Sequence, residues 1–322
     1  MNKEFELIEY PLGNERIDNS LSKSWNSTIF HESSFLLYHP KEKFNLRHFS
    51  LENNGNISMI VPGEILGKHL VSPRGASWGG PAFIQKSLKN ISELTGHFVN
   101  RISEAGINKI TFTIPSPVEN SFIDNRIEFA LLENQFKLIQ EKPTSIIRTD
   151  SANPENNYSS QSRRLLRKSQ NSNLLFSNDF NLDEFYPIME KNLMKFNTKP
   201  THSKEELLLL KEKFPKRIEL FCAIFEDKVA AGVLTFQTSP RSKLAFYINQ
   251  NYEFSNLGCM TFCLHNLLLD SYNRGIDYVD LGVSMDLDDS NDENLSWSLL
   301  NFKESFGSVY FSRKTFGWES NG

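Results

Sequence analysis

Apolar positions along this chain recur at two periods, and the two alternate through most of its length. Residues 44–62 alternate apolar and polar on either side of Asn53-Asn54-Gly55, a turn sequence that tolerates positive φ, and so predict a β-hairpin. Residues 68–84 are rich in Gly, Pro and Ser and predict strand ends joined by a loop. Leu88, Ile91, Leu94, Phe98 and Ile102 then follow a helical spacing that closes at Gly106. Ile107 to Ile114 reads as a strand, 124–138 as a helix and 144–150 as a strand. Past a polar stretch at 151–160 come a basic helix, an amphipathic helix over 182–197, and a helix opened by a Ser203/Glu206 capping box. Three strands follow at 218–225, 229–237 and 243–249, the first two joined at Glu226-Asp227. A helix over 258–274 closes at Gly275. A strand at 276–283, a short helix at 296–306 and a strand at 309–316 end the series.

The order of elements repeats. Each half holds a hairpin, a strand and loop, and a helix that ends in Gly-Ile and runs into a strand, at Gly106 and again at Gly275. That shared spacing predicts two α/β lobes, 1–150 and 151–322, each built on a mixed sheet. A length of 322 residues suits two cores better than one.

Composition narrows the class. Hydrophobic residues at 39% and charged residues at 23% describe a folded chain, and the 26 Phe predict aromatic cores. The net charge of −4 argues against bulk nucleic-acid binding. No apolar run is long enough to cross a bilayer, and the charged start MNKEFELIEY predicts no secretory leader, so a cytoplasmic protein is expected. Cys222, Cys259 and Cys263 are too few for a disulfide framework and predict buried free thiols. No metal site is expected. The acidic run Met285–Asn294 lacks the Gly of a calcium loop and reads as a solvated loop.

The order of elements over 182–316 resembles a GNAT acyltransferase domain, and the chain as a whole resembles two tandem GNAT-like (acyl-CoA N-acyltransferase) lobes, the first degenerate and the second donor-binding. In that fold two parallel strands splay, and the helix after the first offers free N–H groups to a phosphate. Here that helix starts near Asn256, Leu257 and Gly258, where Glu253 stands in the usual basic place. Four motifs in order resemble FemAB-like proteins: Ser72-Pro73 with Trp78-Gly79-Gly80-Pro81, the basic helix Ser162 to Ser169, Tyr278-Val279-Asp280-Leu281-Gly282, and Asn301 to Gly307.

The resemblance implies acyl transfer to an amine of a small molecule or of a cell-envelope or saccharide precursor. Acyl-CoA is the expected co-substrate and no cofactor is held permanently. A FemAB-like aminoacyltransferase using aminoacyl-tRNA and a non-catalytic binding protein on the same scaffold are the alternatives. By the same resemblance Lys303 neutralises developing charge, and Asp280, at a strand end, orients the amine or takes its proton. Tyr247 and Asn249 would line the donor gap with Asn256, Leu257 and Gly258. Arg74, Trp78, Gly79, Arg163, Arg164, Arg167 and Lys168 are the candidates for substrate contact. The residues alone also permit plain roles: a surface lysine between core anchors Phe302 and Phe306, a cap on Gly282 or a pair with Arg274 for Asp280, a solvated basic helix face, and a packed Trp78.

Overall fold

The structure is a computed structural model that describes residues 5–40, 42–195, 198–287 and 293–320. It is a mixed α/β protein of two compact units. Unit 1 runs to Lys142 and takes up residues from Ser312 onward, and unit 2 spans Pro143–Phe311.

Unit 1 is built from β1 (Glu6–Pro11), α1 (Glu15–Leu21), α2 (Ser33–Leu36), β2 (Arg47–Asn53), β3 (Asn56–Leu66), β4 (His69–Ser72), β5 (Ala82–Phe83), α3 (Leu88–Glu104), β6 (Lys109–Ile114), α4 (Arg126–Glu133) and the start of β7 (Lys137–Arg148). Its strands lie in the order β1-β2-β3-β4-β6, followed by residues 312–319 of β15 (Val309–Glu319), with β5 on β3. The hairpin forms where predicted, with Asn54 and Gly55 both at positive φ. Ser87 caps α3 by accepting from the Asn90 N–H, and the helix lays Ile91, Leu94, Phe98 and Ile102 into a core with Phe112, Phe136 and Trp318. β4 runs parallel to β6 for four residue pairs, His69↔Lys109 to Ser72↔Phe112. The chain then folds back on itself: the Gly79 N–H bonds the Thr113 carbonyl at 2.8 Å and the Gly80 N–H bonds the Ser72 hydroxyl. A Cβ on Gly79 would overlap the Pro73 ring, so only glycine permits this approach.

Unit 2 continues through α5 (Ser160–Gln170), β8 (Leu175–Ser177), α6 (Leu182–Met194), α7 (Lys204–Lys213), β9 (Ile218–Phe225), β10 (Lys228–Ser239), β11 (Ser242–Gln250), α8 (Cys259–Asn273), β12 (Tyr278–Val283), the small hairpin β13 (Met285–Leu287) and β14 (Glu293–Leu295), and α9 (Trp297–Glu304). The sheet order is β7-β12-β11-β10-β9-β8. The Ser203/Glu206 capping box is present, and Glu226 and Asp227 both take positive φ to turn β9 into β10. The three thiols are free and buried. Burial raises Cys222 to about 12 and Cys259 to about 11, so both stay protonated at neutral pH.

Three expectations change. The helix expected over 124–138 is α4, Arg126–Glu133, and β7 begins at Lys137, well before residue 144. Residues 137–141 are all exposed, and no apolar alternation marks them. β1, α1 and β8, of six, seven and three residues, are too short to show a period and were not expected. The end of the helix expected to reach 197 and the centre of the acidic run, 288–292, lie outside the described residues.

Two imidazoles are sealed inside unit 1. His48 Nε2 lies 2.8 Å from the His31 carbonyl, and burial lowers His31 to about 4 and lowers His48 as well. Folding therefore favours the neutral rings, and stability is lost as pH falls below the ordinary histidine value of 6.5 toward 4. For His31 the loss at pH 5 is on the order of 2 kcal/mol. Urea unfolding followed by the fluorescence of Trp25, Trp78 and Trp318, all in unit 1, is expected to shift to lower urea between pH 7 and pH 5, and His31→Gln to flatten that dependence.

Candidate functional site

The strongest candidate site lies in unit 2, where β11 and β12 part. Their parallel pairing covers Ser242↔Tyr278, Lys243↔Val279 and Leu244↔Asp280 and then stops, while β11 runs on to Gln250. At the closed end Lys243 is fully buried, with Glu219 at 3.0 Å and Asp270 at 3.2 Å, and Arg274 bonds both carboxylates. Just past the parting, a bulge sets Phe246 of β11 between the pairs Leu234↔Tyr247 and Thr235↔Ala245.

β12 is also irregular at its end. Its antiparallel pairing with β7 slips between Asp280↔Ile146 and Val283↔Thr144, and Gly282 sits there at φ +77. Asp280 is 1% exposed and accepts from the Gly282 N–H at 2.6 Å and the Thr144 hydroxyl at 2.5 Å. Lys303 of α9, 4% exposed, donates from Nζ to the carbonyls of Gly282 at 2.8 Å and Val283 at 2.9 Å. Asp280 thus caps Gly282, and Arg274 pairs with Glu219 and Asp270 instead. Lys303 is buried at the strand end, not spread on the helix surface. The two residues singled out for chemistry meet on one loop.

Phe302 and Phe306 flank Lys303. Phe306 packs edge-on against Tyr158, 5.1 Å between ring centres. Tyr158 lies 3.4 Å from His265 of α8 through its hydroxyl, and the Ser159 N–H bonds the Ser305 carbonyl. The segment leading into α5 therefore contacts both α8 and α9. α5 itself packs on α8, with Leu166 in one core with Cys259, Met260 and Cys263.

Gly258 starts α8 at φ +75, and a Cβ there would stand 2.9 Å from the Leu165 carbonyl oxygen. The Leu165 carbonyl of α5 thus takes up the space beside the Gly258 Cα. Asn256 is exposed and Leu257 half-buried. The outer side of α5 carries Arg164, Arg167 and Lys168 in the open and Arg163 half-buried, and no carboxylate among the described residues pairs with any of the four.

Tyr247 and Asn249 turn toward α6 and the α6–α7 connection. The Tyr247 hydroxyl accepts from the His202 N–H at 3.1 Å and lies 3.0 Å from His202 Nδ1, and burial raises it to about 12. Asn192 donates to Asn249 at 3.2 Å. His202, Asn192 and Thr144 went unread in the sequence. None sits in a recognisable motif, and only the fold brings each to its partner.

In unit 1, Arg74 pairs with Glu64 at 3.3 Å and lies over the Phe44 ring. Trp78 is 1% exposed. Its indole N–H bonds Thr28, Phe30 meets it edge-on and Arg313 lies 4.8 Å from its ring centre. It packs the core and offers no face for stacking on a substrate, and Gly79 is taken up by its approach to Pro73. Among the described residues no cluster of potential metal ligands occurs, and no helix is long and apolar enough to cross a membrane.

No protein-family model and no curated protein sequence matches this chain. Solved structures do match over its full length. FemX aligns with a TM-score of 0.72 at 12% identity, covering 98% of each chain. The L-PGS structure from Bacillus licheniformis aligns at 0.62 and 11% identity, covering 97% of this chain and 94% of the other. A tandem GNAT protein from the clavulanic acid biosynthesis pathway aligns at 0.56 and 9% identity, covering 99% of both. The chain has the double GNAT-like, FemAB-like fold.

Packing at Gly258 makes a clear demand on α5. Gly258→Ala is expected to strain a positive-φ position and press on Leu165, at a cost of roughly 1–3 kcal/mol. Thermal unfolding should show a lower midpoint for Gly258→Ala, whereas Gly275→Ala, at positive φ but with open space around its Cβ, should cost less.

Proposed function

We propose that this chain is an N-acyltransferase that moves an aminoacyl group from tRNA to an amine, with the acceptor on a small molecule or on a cell-envelope or saccharide precursor. One observation carries the choice of donor. α5 lays its main chain against Gly258, at the start of the helix a coenzyme A pyrophosphate would need, and carries on its outer side four cations that no carboxylate among the described residues pairs with. A polyanion reaching the parted strands past α5 meets those cations, and charge of this kind draws in phosphate backbones. Glu253, exposed before Gly258, opposes a bare pyrophosphate at that helix start. The FemAB-like resemblance, whose members include users of aminoacyl-tRNA, supports the same donor.

The chemistry needs no covalent enzyme intermediate. The acceptor nitrogen attacks the ester carbonyl, the new C–N bond forms, the bond between the acyl carbon and the ribose oxygen breaks, and the amine proton ends on the departing ribose hydroxyl. The charge that develops on the carbonyl oxygen calls for a fixed positive group. Lys303 supplies it from the end of β12, where two main-chain carbonyls orient its ammonium group.

A second reading keeps acyl-CoA as donor. The parting of β11 from β12 after three pairs leaves a slot that suits a pantetheine arm, and no long helical hairpin interrupts unit 2 among the described residues.

Binding and transfer decide between them. Labelled aminoacyl-tRNA should bind with an affinity that falls steeply with salt, and the double variant Arg164→Glu/Arg167→Glu should weaken it on the order of tenfold or more and flatten the salt slope. Lys303→Met should leave binding intact and slow transfer on the order of a hundredfold or more. Thermal stabilisation by acetyl-CoA, with no response to aminoacyl-tRNA, would replace this reading by the second.

A further inference from the structure

Asp280 was expected to act on the acceptor amine, but its bonds point inward to the protein. Its carboxylate spans the slip in the β7–β12 ladder, taking the Gly282 N–H on one strand and the Thr144 hydroxyl on the other. Thr144 is fully buried. β12 holds one more residue than β7 across this interval, and the excess is absorbed at Leu281-Gly282 with Gly282 at φ +77. An irregularity of this kind turns carbonyl groups out of the ladder, and the carbonyls of Gly282 and Val283 are the ones that receive Lys303. The order of dependence is therefore Thr144 to Asp280, Asp280 to the Gly282 bulge, and the bulge to the ammonium group of Lys303.

We propose that Thr144 and Asp280 are positioning residues that act through the Gly282 bulge to fix the Lys303 ammonium group at the end of β12. The proposal rests on the reading of Lys303 as the group that meets developing charge in acyl transfer. A flexible lysine supplies oriented charge only if its surroundings hold it before the reaction starts, since reorganisation during the reaction forfeits much of the gain. Main-chain carbonyls alone would not hold it, because a bulge with a glycine at its apex has freedom of its own. The buried carboxylate removes that freedom, and the threonine hydroxyl fixes the carboxylate. A threonine in a sheet strand has a restricted χ1, which makes it a firm anchor.

The test reads Lys303 directly and then reads transfer. In protein labelled with 15N-lysine, a held ammonium group exchanges protons slowly enough to give its own correlation, which Lys303→Arg identifies by its loss. The signal is expected in wild type and in Thr144→Ser, which keeps the hydroxyl, and is expected to vanish or shift in Thr144→Val and Asp280→Asn. An unchanged signal in a folded Thr144→Val overturns the proposal. Should Asp280→Asn fail to melt cooperatively, Thr144→Val, which preserves shape, decides alone. In the aminoacyl-tRNA transfer assay Thr144→Val should lower kcat on the order of tenfold to a hundredfold with KM unchanged, and Thr144→Ser should restore it. A rise in KM with kcat intact would assign Thr144 to binding and count against positioning. If wild type transfers nothing from any donor, the functional reading fails, while the lysine signal still rules on the link from Thr144 to Lys303.

Discussion

Parallel pairing between β11 and β12 lasts three residue pairs, and everything proposed for unit 2 depends on its ending there. A parallel ladder that continued to Gln250 would seal the sheet and leave no room for a donor. Two local irregularities sit at the parting. The Phe246 bulge interrupts the ladder of β11 with β10, and the Gly282 bulge interrupts that of β12 with β7, each within two residues of the last β11–β12 pair. In unit 1 the matching strands also run parallel, β4 with β6, but the Gly79 N–H bonds the Thr113 carbonyl just past their last pair. One lobe keeps its strands apart and the other closes the same position with its own backbone.

Two buried lysines mark the two ends of this arrangement. Lys243, at the closed end, sits among Glu219, Asp270 and Arg274, an ion cluster in which each charge has an opposite partner. Removing a single member would leave a charge uncompensated in a dry place, which is far more damaging than replacing the set. Lys303, at the open end, counts main-chain carbonyls among its partners.

Most of the elements were legible because their signals are local. Asn54-Gly55, the Ser203/Glu206 box and the glycines at 106 and 275 mark turns and caps through bonds made within a few residues. The repeat was legible for the same reason, since β4–α3–β6 and β11–α8–β12 keep their order and spacing. What escaped depends on partners far away in sequence. Residues 137–141 are exposed, and their two apolar side chains, Leu138 and Ile139, are adjacent rather than alternating, so no pattern announces a strand. The contact of Leu165 with Gly258 joins residues whose motifs each looked complete alone. Trp78 looked available for a ligand, and the Thr28 hydroxyl, 50 residues away, takes its N–H. The Lys303 motif drew attention to the right lysine, but the bulge that holds it is assembled from Thr144, Asp280 and Gly282.

The last strand of the chain completes the first unit. Residues 314–319 pair with β6, Lys314↔Ile114 through Glu319↔Lys109, and place Phe316 and Trp318 in the core that α3 and β6 begin. On a ribosome those residues emerge only after all of unit 2 has been made. Until then β6 presents a bare hydrogen-bonding edge beside an unfilled aromatic core, the kind of surface that recruits chaperones or pairs with a neighbouring nascent chain. Unit 2, whose strands all precede residue 312, can assemble first. A chain cut off before residue 312 would thus lack the strand and the two aromatic side chains that complete the lobe encoded first.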